Sequence, residues 1–486
     1  MNDIKHAKTK EILECFEQIS KIPRCSKNEK EIAEWLLNWA KEHNFETRMD
    51  KVRNIVIKIP GSAGYEKSPV VVVQGHMDMV CEKTPDSPHD FCKDPIKFVY
   101  KDEWLTADRT TLGADNGIAI AMAMVLATDK SISHPPLELL FTVDEETGLT
   151  GANNLAAGFI EGKILINVDS EDEGVFTVGC AGGINTNLKL PIEYEAIPAG
   201  YKQYKITAGG MKGGHSGIDI SKGKANALRI LGRSLYQLKK QNIDLRLADV
   251  KGGSAHNAIP RDASAVVFLP EGDAAKAKDT ISEWSKTFNC EFKATDPDLA
   301  VSIAENSEAN FTKVITAPKT QKIIEFMLVI PHGVEAMSQD IEGLVETSNN
   351  FANLKVENDV VKILTSQRSS VISRLHALTE RIESTAYLAG GEAQSGDGYP
   401  PWQPNMESPL LERSKKLYEK MYNKKPVVEV IHAGLECGII GDRNPGMDMI
   451  SIGPTLKFPH SPDEKINVPS IGKVWDFIIE LLKELK

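Results

Sequence analysis

The chain has 486 residues, of which 41% are apolar and 26% are charged, and its formal net charge is -11. This length is too great for one ordinary hydrophobic core, so we expect two or more domains. No basic run is long enough to indicate nucleic-acid binding, and no window approaches the ~18 uninterrupted apolar residues that span a membrane. The N-terminal stretch lacks the apolar core and the cleavage site of a secretion signal.

The cysteines indicate a reducing compartment. There are seven of them, an odd number, and none stands in a Cys-x-x-Cys pair. This usage predicts a reduced, cytoplasmic protein in which each cysteine is a small buried hydrophobe. The positions are Cys15, Cys25, Cys81, Cys92, Cys180, Cys290 and Cys437.

The first part of the chain predicts apolar strands that alternate with helices. Two runs, 69–75 and 137–143, have the unbroken apolar character of strands that are buried on both faces. A Gly/Ala-rich helix over 113–128 separates them, which indicates a largely parallel or mixed α/β sheet. The other elements predicted here are helices 3–20 and 28–44 and strands 46–50, 53–59 and 163–168.

From about residue 189 the pattern changes to β-α-β-β-α-β, and a looser second copy follows. No strong sequence identity links the copies, so their duplication is a structural hypothesis. The first copy consists of strand 202–209, helix 222–240, strands 243–251 and 263–269, helix 272–288 and strand 293–304. The second consists of strand 312–317, helix 319–328, strands 349–357 and 360–367, and helix 369–388.

A Gly- and Pro-rich segment, 390–405, has the composition of a linker, and an α/β pattern resumes after it. That pattern consists of helix 408–422, strands 427–431 and 448–453, and helix 469–485. The simplest architecture is an α/β domain with a mixed sheet, built from both ends of the chain, and an inserted α+β domain. We expect the α/β domain over 1–188 and 397–486, and the inserted domain over 189–396.

Acidic residues and histidines follow the predicted strands at their carboxyl ends, where open α/β sheets place their sites. Each is weak evidence alone, because a single histidine is more often a surface or core residue and a single Asp a turn or cap. Together, two histidines and four acids suit two divalent ions, since zinc takes both imidazole nitrogen and carboxylate oxygen. The six are His76, Asp115, Glu145, Glu146, Asp169 and His460.

Two pairs of neighbouring residues separate into different roles on physical grounds. A metal-bound imidazole usually donates its other N–H to a carboxylate, and Asp78 lies two residues after His76, on the same side of an extended strand end. Asp78 is therefore predicted to orient His76 without binding metal. In the pair Glu145-Glu146, one carboxylate can bind metal while its neighbour takes a proton from the activated water.

These residues fall in segments that resemble the dinuclear zinc exopeptidases of the aminoacylase, carboxypeptidase and dipeptidase superfamily, and within it most closely the aminoacyl-histidine (Xaa-His) dipeptidases. The segments cover the chain in the family order, and no metal position departs from the family pattern. They are GHMDMV (75–80), TLGADNGIAIA (111–121), FTVDEETGLTGA (141–152), INVDSEDEG (166–174), GGHSG (213–217), HNAIPR (256–261), HAGLECG (432–438) and GPTLKFPHSPDE (453–464).

The resemblance implies a role for each residue of the set and makes the α/β domain the catalytic one. The implied ligands are His76 and Asp169 for one zinc ion, Glu146 and His460 for the other, and Asp115 as the bridge. Glu145 is implied to be the general base and acid, and Asp78 to orient His76. A cis peptide bond, frequent in the family at this place, is expected between Asp115 and Asn116.

The resemblance also makes the inserted domain a lid that carries substrate contacts. It implies that His215 stabilises the oxyanion, that Asn257 and Arg368 hold the carboxylate end of the substrate, and that Glu436 binds its free amine. Plainer interpretations stay open: an exposed turn histidine for His215, a surface cation for Arg368 and a structural helix-start residue for Glu436. In simpler relatives the lid histidine comes from the partner of a dimer, but a doubled lid leaves open that His215 acts within its own chain.

The expected function is hydrolysis of a dipeptide with a free N-terminus, of the Xaa-His or carnosine-like type, by a bridging water activated by two zinc ions and Glu145. Manganese or cobalt would also suit the carboxylate-rich ligand set. A broad di- or tripeptidase, an N-acyl amino-acid deacylase and, as a non-enzyme, a peptide-binding protein on the same fold stay as alternatives. We expect a small peptide as partner, neither nucleic acid nor membrane, and leave monomer and homodimer open.

Overall fold

The computed structural model describes residues 6–306, 310–339 and 341–486. They pack as two compact units. The α/β unit comprises the residues up to Cys180, Trp402–Val430 and Leu435–Lys486, and the inserted unit comprises Ala181–Pro401 and Ile431–Gly434. The change between units therefore falls several residues outside the expected limits of 189 and 396, because the strand Gly182–Pro191 lies wholly in the sheet of the inserted unit.

An eight-stranded mixed sheet forms the centre of the α/β unit. Its middle is parallel, since Val71–His76 pairs with Leu137–Thr142 on one side and with Ile164–Asn167 on the other. Every residue of the first two strands is buried, as expected for strands covered on both faces. In sheet order the strands are Glu46–Met49, Ile55–Ile59, Leu137–Thr142, Val71–His76, Ile164–Asn167, Asp448–Ser451, Val175–Cys180 and Val427–Ile431. The predicted mixed α/β sheet built from both ends of the chain is confirmed.

One helix of this unit is enclosed on all sides. Ala114–Thr128 is apolar around its whole circumference, and every residue from Asn116 to Leu126 is buried. The helices of the unit are Ala7–Ile19, Lys30–Glu42, Ala114–Thr128, Glu145–Gly148, Thr150–Asn153, Pro409–Tyr422, Glu436–Arg443 and Val468–Glu484. The first begins at Ala7, where the His6 ring accepts a hydrogen bond from the Thr9 amide, and residues 3–5 of its predicted range lie outside the described residues.

A small antiparallel sheet in the α/β unit was not predicted from the sequence. Its strands span two to four residues, too few for an alternating pattern to show. In sheet order they are Leu456–Lys457, Lys465–Asn467, Trp104–Ala107 and Phe98–Lys101. The sheet pairs the segment around residue 460 with the chain just before the Ala114–Thr128 helix.

The inserted unit has a sheet of nine antiparallel strands with helices packed against it. In sheet order eight of them are Ala300–Glu305, Tyr201–Gly209, Ala263–Pro270, Arg246–Gly252, Val345–Glu357, Val360–Ser369, Gly182–Pro191 and Glu392–Ser395, and Gly333–Met337 pairs with Val345–Glu357 off this path. The helices are Ala227–Lys240, Ala274–Phe292, Ala317–Val329 and Ile372–Leu388. Shorter pairs join Tyr194–Ala196 to Lys313–Ile315 and Gly214–His215 to Ala258–Ile259. The predicted α+β character of this unit is confirmed.

The elements predicted for the first copy are present in the large sheet and its helices, whereas the first strand predicted for the second copy lies outside that sheet. The strand predicted over 312–317 is Lys313–Ile315, which pairs with Tyr194–Ala196 and stays outside the large sheet. Its place beside Val360–Ser369 is taken by Gly182–Pro191, a strand from before the first copy. The second half of the sheet is therefore completed by a segment that precedes the first half in sequence.

Two boundaries in this unit were predicted wrongly. The segment predicted as a linker over 390–405 contains the strand Glu392–Ser395, which pairs with Gly182–Pro191. The strand was missed because the Gly-rich composition of the segment is typical of a loop. The helix predicted over 272–288 continues to Phe292, so the following strand is only Ala300–Glu305. Across the described residues of both units, no helix is long and apolar enough to cross a membrane.

The prediction that every cysteine is reduced and buried is wrong. Cys25 and Cys81 form a disulfide bond, with their Cα atoms 5.7 Å apart, and Cys92 and Cys290 are exposed. The bond was missed because the two cysteines are 56 residues apart in sequence and meet where Cys25 pairs with Met79. It ties the loop after the first helix to the segment that follows residue 76.

Replacing Cys81 by serine is expected to lower the free energy of unfolding by about 2–4 kcal/mol, because a crosslink restricts the unfolded chain. Urea-induced unfolding followed by circular dichroism measures the change, and wild type in strong reductant should behave in the same way. Cys92→Ser is the matched control, because that thiol is exposed and unpaired. Equal stability of wild type, reduced wild type and Cys81→Ser would contradict the expectation.

Candidate metal centre and active site

The predicted site residues of the α/β unit gather at the carboxyl edge of its parallel strands. His76 is the last residue of Val71–His76, Glu145 follows the end of Leu137–Thr142 by three residues, and Asp169 follows Ile164–Asn167 by two. Neighbouring parallel strands end at the same edge, so these side chains are brought together. Two further residues reach the edge from outside this sheet: Asp115 at the start of Ala114–Thr128, and His460 in the loop between Leu456–Lys457 and Lys465–Asn467.

The first group of potential ligands surrounds His76. Its Nε2 atom lies 3.1 Å from Oδ1 of Asp115 and 3.5 Å from Oδ1 of Asp169. The His76 side chain is almost completely buried, and all three ligand atoms lie within 4.8 Å of one another. This group is the set that the resemblance implied for one metal ion, with Asp115 as the bridge.

The second group surrounds His460. Its Nε2 atom lies 2.9 Å from Oε2 of Glu146 and 3.3 Å from Oδ2 of Asp115. The two carboxylate oxygens of Asp115 are thus divided, with Oδ1 facing His76 and Oδ2 facing His460. A carboxylate placed in this way has the geometry of a bridge between two cations.

The donor atoms fit zinc. Zinc bonds of about 2.0–2.2 Å in a tetrahedron separate neighbouring ligand atoms by roughly 3.3 Å, and the distances above run from 2.9 to 3.5 Å. In addition, Oε1 of Glu146 is buried and has no hydrogen-bond partner. A buried carboxylate oxygen without a donor is costly unless a cation takes that place. The residues therefore suit two divalent ions that share Asp115.

The residue after the bridging aspartate holds two ligand-bearing segments together. The peptide bond between Asp115 and Asn116 is cis, as the resemblance implied. The Asn116 side chain accepts from the His76 amide at 3.3 Å and donates to the Val168 carbonyl at 2.7 Å. A Cβ on Gly75 would approach Oδ1 of Asn116 to 2.3 Å, so the glycine before His76 makes room for this contact.

Asp78 lies beside His76, and its orienting role stays a prediction. Nδ1 of His76 lies 3.1 Å from the main-chain carbonyl of Asp78 and 3.3 Å from its Oδ1 atom. The Asp78 carboxylate also accepts from the amides of Glu145 at 3.0 Å and Glu146 at 3.3 Å. Burial would raise the pKa of Asp78, but these hydrogen bonds and that of Ser26 outweigh it and hold the pKa below its usual value. The Asp78 side chain thus contacts both the His76 ring and the main chain of the acidic pair.

Asp78→Asn is expected to weaken zinc binding by about 10–100-fold, the usual cost of losing a partner that orients a metal ligand. The dissociation constant, measured by chelator competition on the metal-free protein, gives the effect independently of activity. Asp90→Asn is a suitable control, because Asp90 is an exposed loop acid of the same unit that accepts the Cys92 amide. An affinity within twofold of wild type would remove Asp78 from the positioning role.

The site concentrates negative charge. Burial, together with neighbouring acids, raises the pKa of Asp169 to about 6 and raises that of Glu145 well above its usual value. Burial by itself would lower the pKa of His76, but the surrounding carboxylates outweigh this effect and raise it above its usual value. Acids packed together in this way are stable as anions only when cations share the space, which is what a metal centre provides.

Glu436, predicted to bind the substrate amine, lies deeper than that role suggests. Its side chain is completely buried, and its Oε2 atom accepts from Gln74 and from Thr142, both at 2.6 Å. Its Oε1 atom is buried without a hydrogen-bond partner. Burial raises its pKa to about 7. Binding of an amine by Glu436 stays a prediction, and the contacts equally fit the structural role left open above.

His215, in the inserted unit, has a defined tautomer. Its Nδ1 atom accepts from the amides of Gly217 and Ile218 at 3.2 Å each, so the proton of the neutral ring lies on Nε2. Burial and the Arg368 guanidinium lower the pKa of His215, which keeps the ring neutral at pH 7. His215 is thus prepared to donate a hydrogen bond from Nε2, as an oxyanion-stabilising group must.

Arg368 and Asn257 lie in the same unit as His215. Arg368 is only 7% exposed and donates to the Tyr399 hydroxyl at 3.1 Å, while its Nε–H is buried without a partner. This burial contradicts the open interpretation of Arg368 as a strand-end surface cation. Asn257 is exposed, and its carbonyl accepts from the Ser216 amide at 2.8 Å, next to His215. Their roles toward a substrate stay predictions.

Several residues near these sites were missed from the sequence. His432 is buried in the inserted unit, with Nε2 2.7 Å from the Ser348 hydroxyl, and its burial and Arg368 lower its pKa to about 3. His432 lies in the segment HAGLECG (432–438), which resembles the family, but only Glu436 of that segment was assigned a role from the sequence. Arg24 and Glu464 were also missed. Glu464 ends a quoted segment, whereas Arg24 lies in none.

Comparison with known proteins identifies the family. The model of peptidase family M20/M25/M40 matches residues 72–484. The chain is also 39% identical to the cytosol non-specific dipeptidase of Escherichia coli (strain K12), over 100% of this chain and 99% of that protein. The chain belongs to the M20 peptidase family. This peptidase is therefore a hydrolase of a metal-dependent family, as the resemblance implied.

Solved structures agree with the fold. The crystal structure of aminoacylhistidine dipeptidase from Vibrio alginolyticus matches with a TM-score of 0.88 and 40% identity, covering 98% of this peptidase and 96% of that chain. The aminopeptidase PepT from Bacillus cereus matches with a TM-score of 0.56 and 17% identity over 98% of each chain, which supports the fold alone. The predicted catalytic and lid architecture of the superfamily is confirmed.

Proposed function

We propose that this peptidase hydrolyses the peptide bond of dipeptides with a free N-terminus, and that two zinc ions bound by the α/β unit are its cofactors. The observation that carries the proposal is the division of the Asp115 oxygens, with Oδ1 facing His76 and Oδ2 facing His460. One ion would be held by His76, Asp115 and Asp169, and the other by Asp115, Glu146 and His460. The ions would lower the pKa of water and polarise the scissile carbonyl.

Glu145 is the proposed general base and acid. A carboxylate oxygen of Glu145 lies within 4.8 Å of a ring nitrogen of His76 and an oxygen of Glu146, so it stands beside the potential ligands. The amide of Glu145 is held by Asp78, which fixes the start of its short helix. From this position Glu145 takes a proton from the attacking water and returns it to the leaving amine.

His215 is the proposed oxyanion donor, through the Nε2 proton that its tautomer provides. Arg368 offers a guanidinium whose planar fork matches a carboxylate, and we propose that it holds the C-terminal carboxylate of the substrate. Asn257 is proposed for the same end and Glu436 for the free amine. The buried, unpartnered Nε–H of Arg368 supports its assignment to the substrate carboxylate.

The substrate range is proposed to be broad among dipeptides and to include Xaa-His. The two relatives near 40% identity are named for different ranges, one for non-specific dipeptides and the other for aminoacyl-histidine. A deacylase or tripeptidase remains the alternative within the family. A peptide-binding role without catalysis is disfavoured, because pure binding does not require the acidic pair Glu145-Glu146. The name of the Escherichia coli relative also supports a cytosolic location, and we propose that the enzyme acts on small peptides there.

A panel of substrates tests the proposal. The metal-free protein is loaded with zinc, manganese or cobalt and assayed with carnosine, several Xaa-His and Xaa-Leu dipeptides, a tripeptide and an N-acetyl amino acid. The expected result is metal-dependent cleavage of most dipeptides and negligible cleavage of the acyl amino acid. Preference for the acyl amino acid or tripeptide, or equal turnover after metal removal, would overturn it. Size-exclusion chromatography with light scattering decides between monomer and dimer.

A further inference from the structure

Glu464 links two loops that carry potential metal ligands. Its side chain is 2% exposed, and both carboxylate oxygens accept backbone amides. Oε2 accepts from Leu112 at 2.7 Å and Gly113 at 2.9 Å, and Oε1 accepts from Ala114 at 2.8 Å and Asp115 at 3.3 Å. Glu464 stands four residues after His460, so a single side chain connects the loop of that histidine to the turn that presents Asp115.

Arg24 makes the complementary contacts from the other side. It is also 2% exposed, and its Nη1 atom donates to the carbonyls of Met77 at 3.1 Å and Asp78 at 3.0 Å. Its Nη2 atom donates to the carbonyl of Gly113. The guanidinium therefore joins the segment after His76 to the same turn that Glu464 holds.

The two side chains meet at Gly113. The N–H of this residue donates to Glu464 and its carbonyl accepts from Arg24. Its φ of +69° is in the left-handed region, and a Cβ there would lie 2.6 Å from Nη2 of Arg24. A Cβ on Gly117 would also lie 2.6 Å from that atom. Both glycines are thus needed to admit the guanidinium.

Burying the side chains of Arg24 and Glu464 carries a free-energy cost, which their hydrogen bonds must offset. A buried charge is costly unless hydrogen bonds satisfy it. Here all the hydrogen bonds described for both side chain groups run to the backbone of the ligand-bearing segments and none to a metal ligand's side chain. Burial lowers the pKa of Arg24 to about 10, and the Glu464 carboxylate acts against this shift.

We propose that Arg24 and Glu464 are positioning residues that set the separation of His76, Asp115 and His460, and thereby the affinity of the site for its metal ions. The inference rests on the metal site of the proposed function, but not on the reaction or the substrate. Neither residue touches a ligand's donor atom; both act through the main chain that carries the ligands.

The test is the zinc affinity of Glu464→Gln and Arg24→Lys, measured on metal-free full-length protein by chelator competition. In Glu464→Gln, an amide nitrogen replaces one acceptor oxygen. This nitrogen faces two backbone N–H groups and cannot accept from them, so two of the four hydrogen bonds to the turn are lost. In Arg24→Lys, one ammonium replaces the fork that spans two segments. Each variant is expected to bind zinc about 10–100-fold more weakly and to change the visible absorption spectrum of the cobalt-loaded protein.

Two control variants, one at a buried acid and one at a partly buried arginine, separate positioning from the general cost of changing such a side chain. Glu138 is 1% exposed in the same unit and accepts the amides of Glu161 at 2.7 Å and Gly162 at 3.0 Å, away from the potential ligands. Arg229 donates to the carbonyls of Leu328 at 2.7 Å and Ile330 at 2.8 Å in the inserted unit. Glu138→Gln and Arg229→Lys are expected to lose stability but to keep the wild-type zinc affinity and cobalt spectrum.

The shared contact at Gly113 gives a second measurement. The double variant is expected to bind zinc only slightly more weakly than the worse single variant, because either change releases the same turn. Folded single variants with zinc affinities and cobalt spectra like those of their controls would overturn the proposal. If one variant fails to fold, the other decides by the same criterion. Wild-type protein that binds zinc but cleaves no dipeptide would count against the proposed function instead.

Discussion

Glu145→Gln is expected to lower kcat by about 10³–10⁴-fold while the protein keeps its full zinc content. General acid–base catalysis contributes up to about 10⁴-fold, and an amide of the same shape cannot accept the proton. The Asp78 carboxylate holds the main chain of Glu145 rather than its side chain, so the short helix is undisturbed by the change. Steady-state kinetics and elemental analysis on the same sample measure both quantities.

Its neighbour provides the contrast. Glu146→Gln alters a potential ligand, whose Oε2 atom lies 2.9 Å from His460, so it should lose activity together with one of the two ions. The two adjacent variants are thus distinguished by metal content and not by activity alone. Glu145→Gln with more than a tenth of wild-type kcat, or with one ion missing, would show that the roles of the pair are assigned wrongly.

His215→Ala is expected to lower kcat by about 10²–10³-fold with little change in metal content, the usual cost of losing one oxyanion donor. The reason is the Nε2 proton, which the two hydrogen bonds to Nδ1 fix in place. His256→Ala is the control, because this residue lies in the same unit and is exposed. Partial burial of its ring and, to a smaller extent, Arg368 lower its pKa, as they do for His215. Similar losses in both variants would point to disturbance of the unit and not to a lost donor.

Mixing His215→Ala with Glu145→Gln shows whether the histidine acts in its own chain. If it does, neither protein in the mixture has a complete site, and activity stays at the level of the separate variants. That result would support the version in which His215 acts within its own chain. Recovery of activity on mixing would show that His215 crosses to a partner subunit and that the enzyme works as a dimer.

Three of the potential metal ligands, His76, Glu146 and Asp169, were predictable because each stands at or just after the end of a strand that the sequence marks clearly. The run before His76 and the run before Glu145 are buried throughout, and burial on both faces leaves an unbroken apolar pattern. The residues that hold those ligands left no such mark. Arg24 acts on carbonyls of Met77, Asp78 and Gly113, and a bond to a carbonyl places no demand on side-chain identity.

The errors in the fold have a common cause, which is pairing between segments remote in sequence. Gly182–Pro191 joins the large sheet beside Val360–Ser369, and no local pattern shows which strand will be its neighbour. Cys25 and Cys81 likewise meet only through the fold. Local periodicity predicts elements, whereas the partners of an element depend on contacts across the whole chain.

The place where the chain leaves the α/β unit lies next to the place where it returns. The amide of Cys180 donates to the Trp402 carbonyl at 2.9 Å, and the amide of Trp402 donates to the Cys180 carbonyl at 3.1 Å. The segment between these residues is therefore a loop whose two ends lie side by side in the α/β unit, and Ile431–Gly434 is a second, shorter excursion of the chain. Doubling the length of such a loop costs only about 0.6 kcal/mol in closure entropy. Closure entropy therefore places little restriction on the length of the segment that the chain inserts between Cys180 and Trp402.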